Sequence, residues 1–137
     1  MKHGSGWITG FNVSPEKIKS DYDRLRKIAD KFGRNVDEIE AAAPFVSHVA
    51  KDREQARRSI ERYIEQDQFT GTLGRHFAEE TRLYAIWGAP KECVKRIEQY
   101  VALTGVKHLI LDLRPANTAL ESLRLLCDEV IPHFQRK

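Results

Sequence analysis

Two segments constrain this chain more than any other feature: residues 39–50 (IEAAAPFVSHVA) and residues 106–113 (VKHLILDL). Neither carries a helical stripe. Small, β-branched and leucine-type residues crowd both, as in strands that are buried on both faces. Pro44 opposes the first assignment, because it has no N–H to give to a ladder. Amphipathic helices flank each segment. Buried strands alternating with helices call for parallel crossover units, so the expected class is α/β.

The helices declare themselves by their ends and faces. Ser14-Pro15-Glu16 is a start signal, and Ile18, Tyr22, Leu25, Ile28 and Phe32 follow on one face until Gly33. Asp52 caps a second helix, with Gln55 as its capping-box partner and Ala56, Ile60, Tyr63 and Ile64 as its stripe. Residues 68–75 (QFTGTLGR) read as a loop, followed by a shorter helix through Phe77, Leu83, Tyr84 and Ile86 that ends near Gly88. Pro90 opens a helix with Val94, Ile97 and Val101 inward, and Gly105 closes it. Thr118 and Glu121 form a capping box for a last helix with Leu120, Leu123, Cys127 and Val130 inward. The opening, Gly6 to Phe11, suits a strand end or a loop.

No repeat or linker divides the 137 residues, so residues 1–137 are read as one domain. With 41% apolar residues the chain can build a core, and disorder is excluded. A net charge of +3, with bases and acids interleaved, gives no case for nucleic acid. Apolar runs are far shorter than the ~20 residues of a membrane span, and the N-terminus has no apolar leader. Cys93 and Cys127 sit at apolar helix positions and read as small buried hydrophobes in a reducing compartment. A soluble, cytoplasmic protein is expected. The five histidines lack metal-ligand spacing; His76 and Glu79 share a helix face at most, and no metal is expected.

Two such strands need neighbours on both edges, and the helices need a sheet to cover. A closed barrel of this kind takes about 250 residues and eight strands. The segments resemble the C-terminal part of the bacterial-luciferase-like monooxygenases. Gly6-Trp7-Ile8 resembles the "DGW" after the sixth barrel strand, with Ser5 where the family carries Asp. Residues 32–39 (FGRNVDEI) resemble the "aGRdpdei" entry to the seventh strand, and residues 88–94 (GAPKECV) the "GtPeeV" helix start. Gly105-Val106 with its apolar run resembles the eighth strand, and residues 129–134 (EVIPHF) the "EViP" ending of the last helix.

The resemblance implies part of a (β/α)8 barrel, a flavin mononucleotide (FMN) or deazaflavin cofactor, and oxygenase or hydride-transfer chemistry at the carboxyl mouth. Five strands and most of a sixth have no counterpart here. None of the matched motifs is catalytic, so no catalytic residue carries over, and turnover by the isolated chain is not expected. The alternative is a non-catalytic association module that keeps the fold.

Five residues are candidates for contact with a cofactor. Thr72 and Arg75 lie in a glycine-bearing stretch ahead of a helix, where an anion can bind or the chain simply connects. Asp112 and Arg114 end the last strand, where barrels place working groups, or begin a solvated loop. Trp7, at the end of the sixth strand, lines a cofactor cavity or packs in the core. Two strands too apolar for a wet face also predict self-association, as a homodimer or higher even oligomer.

Overall fold

A computed structural model describes residues 4–66, 71–113 and 119–135, with the backbone alone at 71–73 and 119. Strand β2 (Glu40–Val49) is the hub of a parallel sheet. It pairs with β1 (Gly6–Ile8), with β3 (Ile86–Gly88) and with β4 (His108–Asp112). Between them run α1 (Pro15–Lys31), α2 (Arg53–Gln66), α3 (Gly71–Tyr84) and α4 (Pro90–Thr104). After β4 comes α5 (Ala119–Leu125), which continues as a π-turn, Leu126–Val130, and a 3-10 turn, Ile131–His133. Every pairing is parallel, as the α/β reading requires.

Pro44 is accommodated by which edge it faces. In β2 the even-numbered residues offer their polar groups to one edge. Glu40 N meets Ser5 O, Ala42 O meets Thr9 N, Pro44 O meets Asn12 N, and Ala50 N meets Gly88 O. By Pro44 the chain has left β1, so no strand there asks for the missing N–H. The next donor, Val46 N, goes instead to the side-chain Oδ1 of Asn12 at 2.9 Å. β1, the Asn12 side chain and β3 thus cover one edge of β2 in succession. β4 covers the other through Val46, and Ser122 Oγ then accepts from Val49 N at 2.8 Å.

The odd-numbered face of β2 holds the main core. Ala41, Ala43, Phe45 and Val49 pack with Ile18 of α1, Cys93, Ile97 and Tyr100 of α4, and Leu126 and Val130. On the even face Val46 packs with Ile60 and Ala85, flanked by Tyr63, Phe77 and Trp87. α2 and α3 therefore lie over the carboxyl end of the sheet. Ser14 Oγ accepts from Lys17 N to start α1, and Asp52 Oδ1 accepts from Gln55 N to start α2. α4 ends on Gly105, whose φ of 68° is the left-handed cap position.

Four sequence expectations change. The loop expected over residues 68–75 is helical from Gly71, and Gly74 is buried, so packing overrides glycine's poor propensity. The helix expected to run on to Gly88 stops at Tyr84. Ile86 must pair with Ser47, and Gly88 has a φ of 141° that no helix contains. The inward face of the last helix is Ser122, Leu126 and Val130, spaced by four. Leu120 and Leu123 are exposed, and so is Cys127, which the sequence placed in the core; only Cys93 is buried. His76 pairs with Glu80, one residue beyond the Glu79 of the sequence reading. Among the described residues no helix is long and apolar enough to cross a membrane.

Candidate functional site

Residues paired in register point to the same side of a sheet, so the even face of β2 can be followed across its neighbours. Ile8 aligns with Ala42, Ile110 with Pro44, Asp112 with Val46, and Trp87 with His48. This face has two halves. Toward the amino end it is bare, with Ile8 59% and Ile110 44% exposed. Toward the carboxyl end it is covered by α2 and α3 and carries His48, Trp87 and Asp112. Ligands of parallel α/β proteins gather at that carboxyl end.

His48 and Trp87 are the unusual pair. Among the described residues, two buried side-chain nitrogens lack a hydrogen-bond partner, His48 Nδ1 and Trp87 Nε1. Orphaned buried donors each cost about 1–3 kcal/mol, so two adjacent ones mark a place where a partner belongs. His48 is only 2% exposed, and burial pushes its pKa below the usual histidine value, against the opposing pull of the Glu121 charge. The Arg53 guanidinium lies 4.9 Å from the centre of the Trp87 ring, a cation–π contact that also holds the indole in place. Arg53 in turn donates to Glu92 at 2.8 Å, and Glu92 accepts from Ala89 N to start α4.

Beside His48 lies a cavity of about 210 Å³ between the end of β2, one side of α2 and the start of α5. A wider apolar groove of about 770 Å³ runs along the helix side of β4, lined by Ile97, Val101, Leu109, Val130 and Phe134.

The five sequence candidates do not converge. Trp7 lies on the helix side of the sheet, its ring centre 6.1 Å from that of Tyr22, among core residues of α1. Thr72 and Arg75 fall in the first turns of α3, with Arg75 exposed. Asp112, half-buried, does stand on the even face at the carboxyl end, two positions from His48 along the sheet. Arg114 lies outside the described residues. His48 and Trp87 escaped notice because each reads as one more residue of an apolar run. The signal available was a histidine at the carboxyl end of a buried strand.

A family model described as luciferase-like monooxygenase matches residues 1–108. The chain belongs to the luciferase-like monooxygenase family. Solved structures agree on the fold. The coenzyme F420-dependent tetrahydromethanopterin reductase of Methanopyrus kandleri superposes over 98% of this chain and 46% of its own, at 21% identity and a TM-score of 0.70. An F420-dependent secondary alcohol dehydrogenase gives 0.76 at 13% identity, over 98% of this chain and 44% of its own. A riboflavin lyase, solved with modified FMN and riboflavin, gives 0.73 at 15% identity, over 97% and 39%. No match is found among curated protein sequences. This luciferase-like chain spans less than half the length of the solved structures it matches. Within this chain β1 and β4 flank β2 in one parallel sheet, and the amino half of its even face is bare.

Proposed function

We propose that this chain is the C-terminal arc of a flavin- or deazaflavin-dependent luciferase-like oxidoreductase, and that it works only when further strands close the barrel. The observation that carries this reading is the bare even face. Ile8 and Ile110 are apolar, exposed and aligned with Ala42 and Pro44, on a sheet whose two outer strands, β1 and β4, pair only with β2 among the described residues.

The residues present fit one wall of a cofactor site. His48 Nδ1 and Trp87 Nε1 are buried at the carboxyl end without partners, and a flavin-type ring offers carbonyl and nitrogen acceptors at its edge. Such a cofactor, once reduced, supplies the electrons for oxygen activation or hydride transfer. This chain's part is to hold that wall: His48 and Trp87 orient an edge, Asp112 stands beside them, and α2 with α3 keep water out. Thr72 and Arg75 at the start of α3 remain candidate contacts, as does Arg114 outside the described residues, and Trp7 a support behind β1.

In this reading a second copy of the chain covers the bare face but does not replace the absent strands and the residues they carry. Ile28 on α1, Phe32 just after it, and Leu120 and Leu123 on α5 are further exposed apolar side chains that favour association. Burial at ~25 cal/mol per Å² makes closure of such a surface favourable. Titration with FMN, followed by flavin fluorescence, is the test. Saturable quenching is expected. None at high micromolar protein turns the chain into an association module without a cofactor. NAD(P)H-dependent oxygen consumption is expected to stay at the protein-free level, and turnover above it overturns the reading of an incomplete site.

A further inference from the structure

The cavity of about 210 Å³ beside His48 is too small for a flavin ring, since pockets for ligands of that size begin near 300 Å³. At ~30 Å³ per water it has room for a tetrahedral anion with some solvent. Most of the residues that line it are polar, with Val49 and Ala50 as apolar neighbours, and all lie within this chain. Gln55, Arg58, Ser59 and Arg62 come from one side of α2, at successive steps of three, one and three residues. That stripe runs beside the apolar one of Ala56 and Ile60, so burying one face of α2 necessarily aims the other along the cavity. His48 and Glu121 also line it.

The charges favour an anion. Arg58 shares Glu54 with Arg57 at 3.1 Å, and Arg62 makes no ion pair among the described residues. The one carboxylate on the wall, Glu121, is answered by Lys51 at 3.5 Å. Guanidinium forks match the paired oxygens of phosphate-type groups, and a buried imidazole adds a neutral donor. His48 Nδ1 makes no hydrogen bond to a described residue, and the side chain is only 2% exposed. A ring so placed is supported by its surroundings only if a ligand or water completes them.

We propose that this cavity is an oxyanion site of the phosphate class, with His48 on its inner wall and Arg58 and Arg62 at its rim. The site shares His48 with the proposed cofactor wall, but it uses no residue outside this chain and no surface that a partner must close.

The test is titration of the full chain with inorganic phosphate, at constant ionic strength held with chloride. The readout is the NMR signal of the His48 ring. A saturable shift with phosphate and none with chloride is expected. Arg58→Gln with Arg62→Gln, both exposed and remote from the core, is expected to weaken the apparent affinity at least roughly tenfold. Lys95→Gln, an exposed change on α4, leaves it unaltered. His48→Gln, followed by isothermal titration calorimetry because the ring signal is gone, abolishes saturation with the far-ultraviolet circular dichroism unchanged. Two arms separate the sources of the group. Displacement of phosphate by FMN but not by riboflavin assigns the site to a cofactor's phosphate, and displacement by neither assigns it to a free phosphate or a small phosphorylated metabolite. Absence of a saturable shift, or equal affinity in the double arginine variant, overturns the proposal. FMN binding that persists in the double variant leaves the flavin reading standing without this site.

Discussion

Asn12 ties the start of the chain to α3: its Nδ2 donates to Thr81 Oγ1 at 2.9 Å, in a fully buried contact between residues 69 apart in sequence. The same side chain accepts from Val46 N, and it sits at a φ of 50°, a left-handed conformation that asparagine tolerates better than most residues. Asn12→Ala strips partners from two buried groups at once. The expected loss is about 2–4 kcal/mol, read as a lower urea midpoint with an unchanged slope. A loss below the ordinary surface range of ~0.5 kcal/mol would mean that β2 does not rely on this bridge.

Gly88 and Glu92 set the join between β3 and α4. A Cβ on Gly88 would lie 2.7 Å from Glu92 Oε2, the oxygen that accepts from Ala89 N. With a φ of 141° as well, Gly88→Ala is expected to destabilise by roughly 2–3 kcal/mol, through backbone strain and loss of the helix start. Thermal unfolding compared with Gly105→Ala, strained at its φ of 68° but with open space around it, separates the clash from the strain.

The two thiols differ in reactivity. Burial pushes the Cys93 thiol up to about 12, so at neutral pH it is neither reachable nor a thiolate. Cys127 is exposed. A chromogenic disulfide reagent is expected to titrate one thiol in the native protein and two in denaturant. Rapid reaction of both in the native state contradicts the burial of Cys93.

Stability depends on pH through His48. Its folded pKa lies below the unfolded value of 6.5, so the unfolded chain binds more protons as pH falls below about 7. The folded protein therefore loses stability from near pH 7 down through the folded pKa, and levels off below it as far as this group is concerned. Denaturant midpoints at pH 7.5 and 5.5 are expected to differ in that direction (values chosen to bracket the usual histidine range of ~6.5). His48→Gln removes this part of the slope, and an unchanged slope in the variant would assign it elsewhere.

Ile8→Ser combined with Ile110→Ser tests the association in the proposed function. Neither side chain is buried, so monomer folding changes little. Light scattering at micromolar concentration is expected to show the wild-type chain as a dimer or larger even oligomer, with the double variant shifted toward monomer. A wild-type monomer that melts cooperatively sinks the expectation.

The parallel α/β plan was readable because β2 and β4 are apolar on both faces and α1, α2 and α4 begin on recognisable start signals, the caps Ser14 and Asp52 and the first-turn Pro90. What stayed hidden depends on contacts distant in sequence. Residues 86–88 are too short to show a period, and their strand exists because Ser47 to Val49 lie alongside. The last helix offers apolar residues on two sides, and the sequence alone could not say whether Leu123 or Leu126 turns inward. The π-turn at Leu126–Val130 blurs the spacing further. The same limit applies to the site: Asp112 could be found from its position at a strand end, whereas His48 meets Trp87 and α2 only through the fold.

The placement of β4 on β2 has a consequence for biosynthesis. Val49 N must wait 73 residues for Ser122 Oγ, and the ladder from Ala42 to Val46 waits nearly as long for β4. At ~5–20 residues per second, a ribosome takes roughly 4–15 s to deliver that stretch. Throughout this interval the nascent chain presents the most apolar strand it has with one side unzipped. Synthesis rate and chaperone supply, more than the stability of the finished protein, would then set how much of this chain reaches its folded state in a cell.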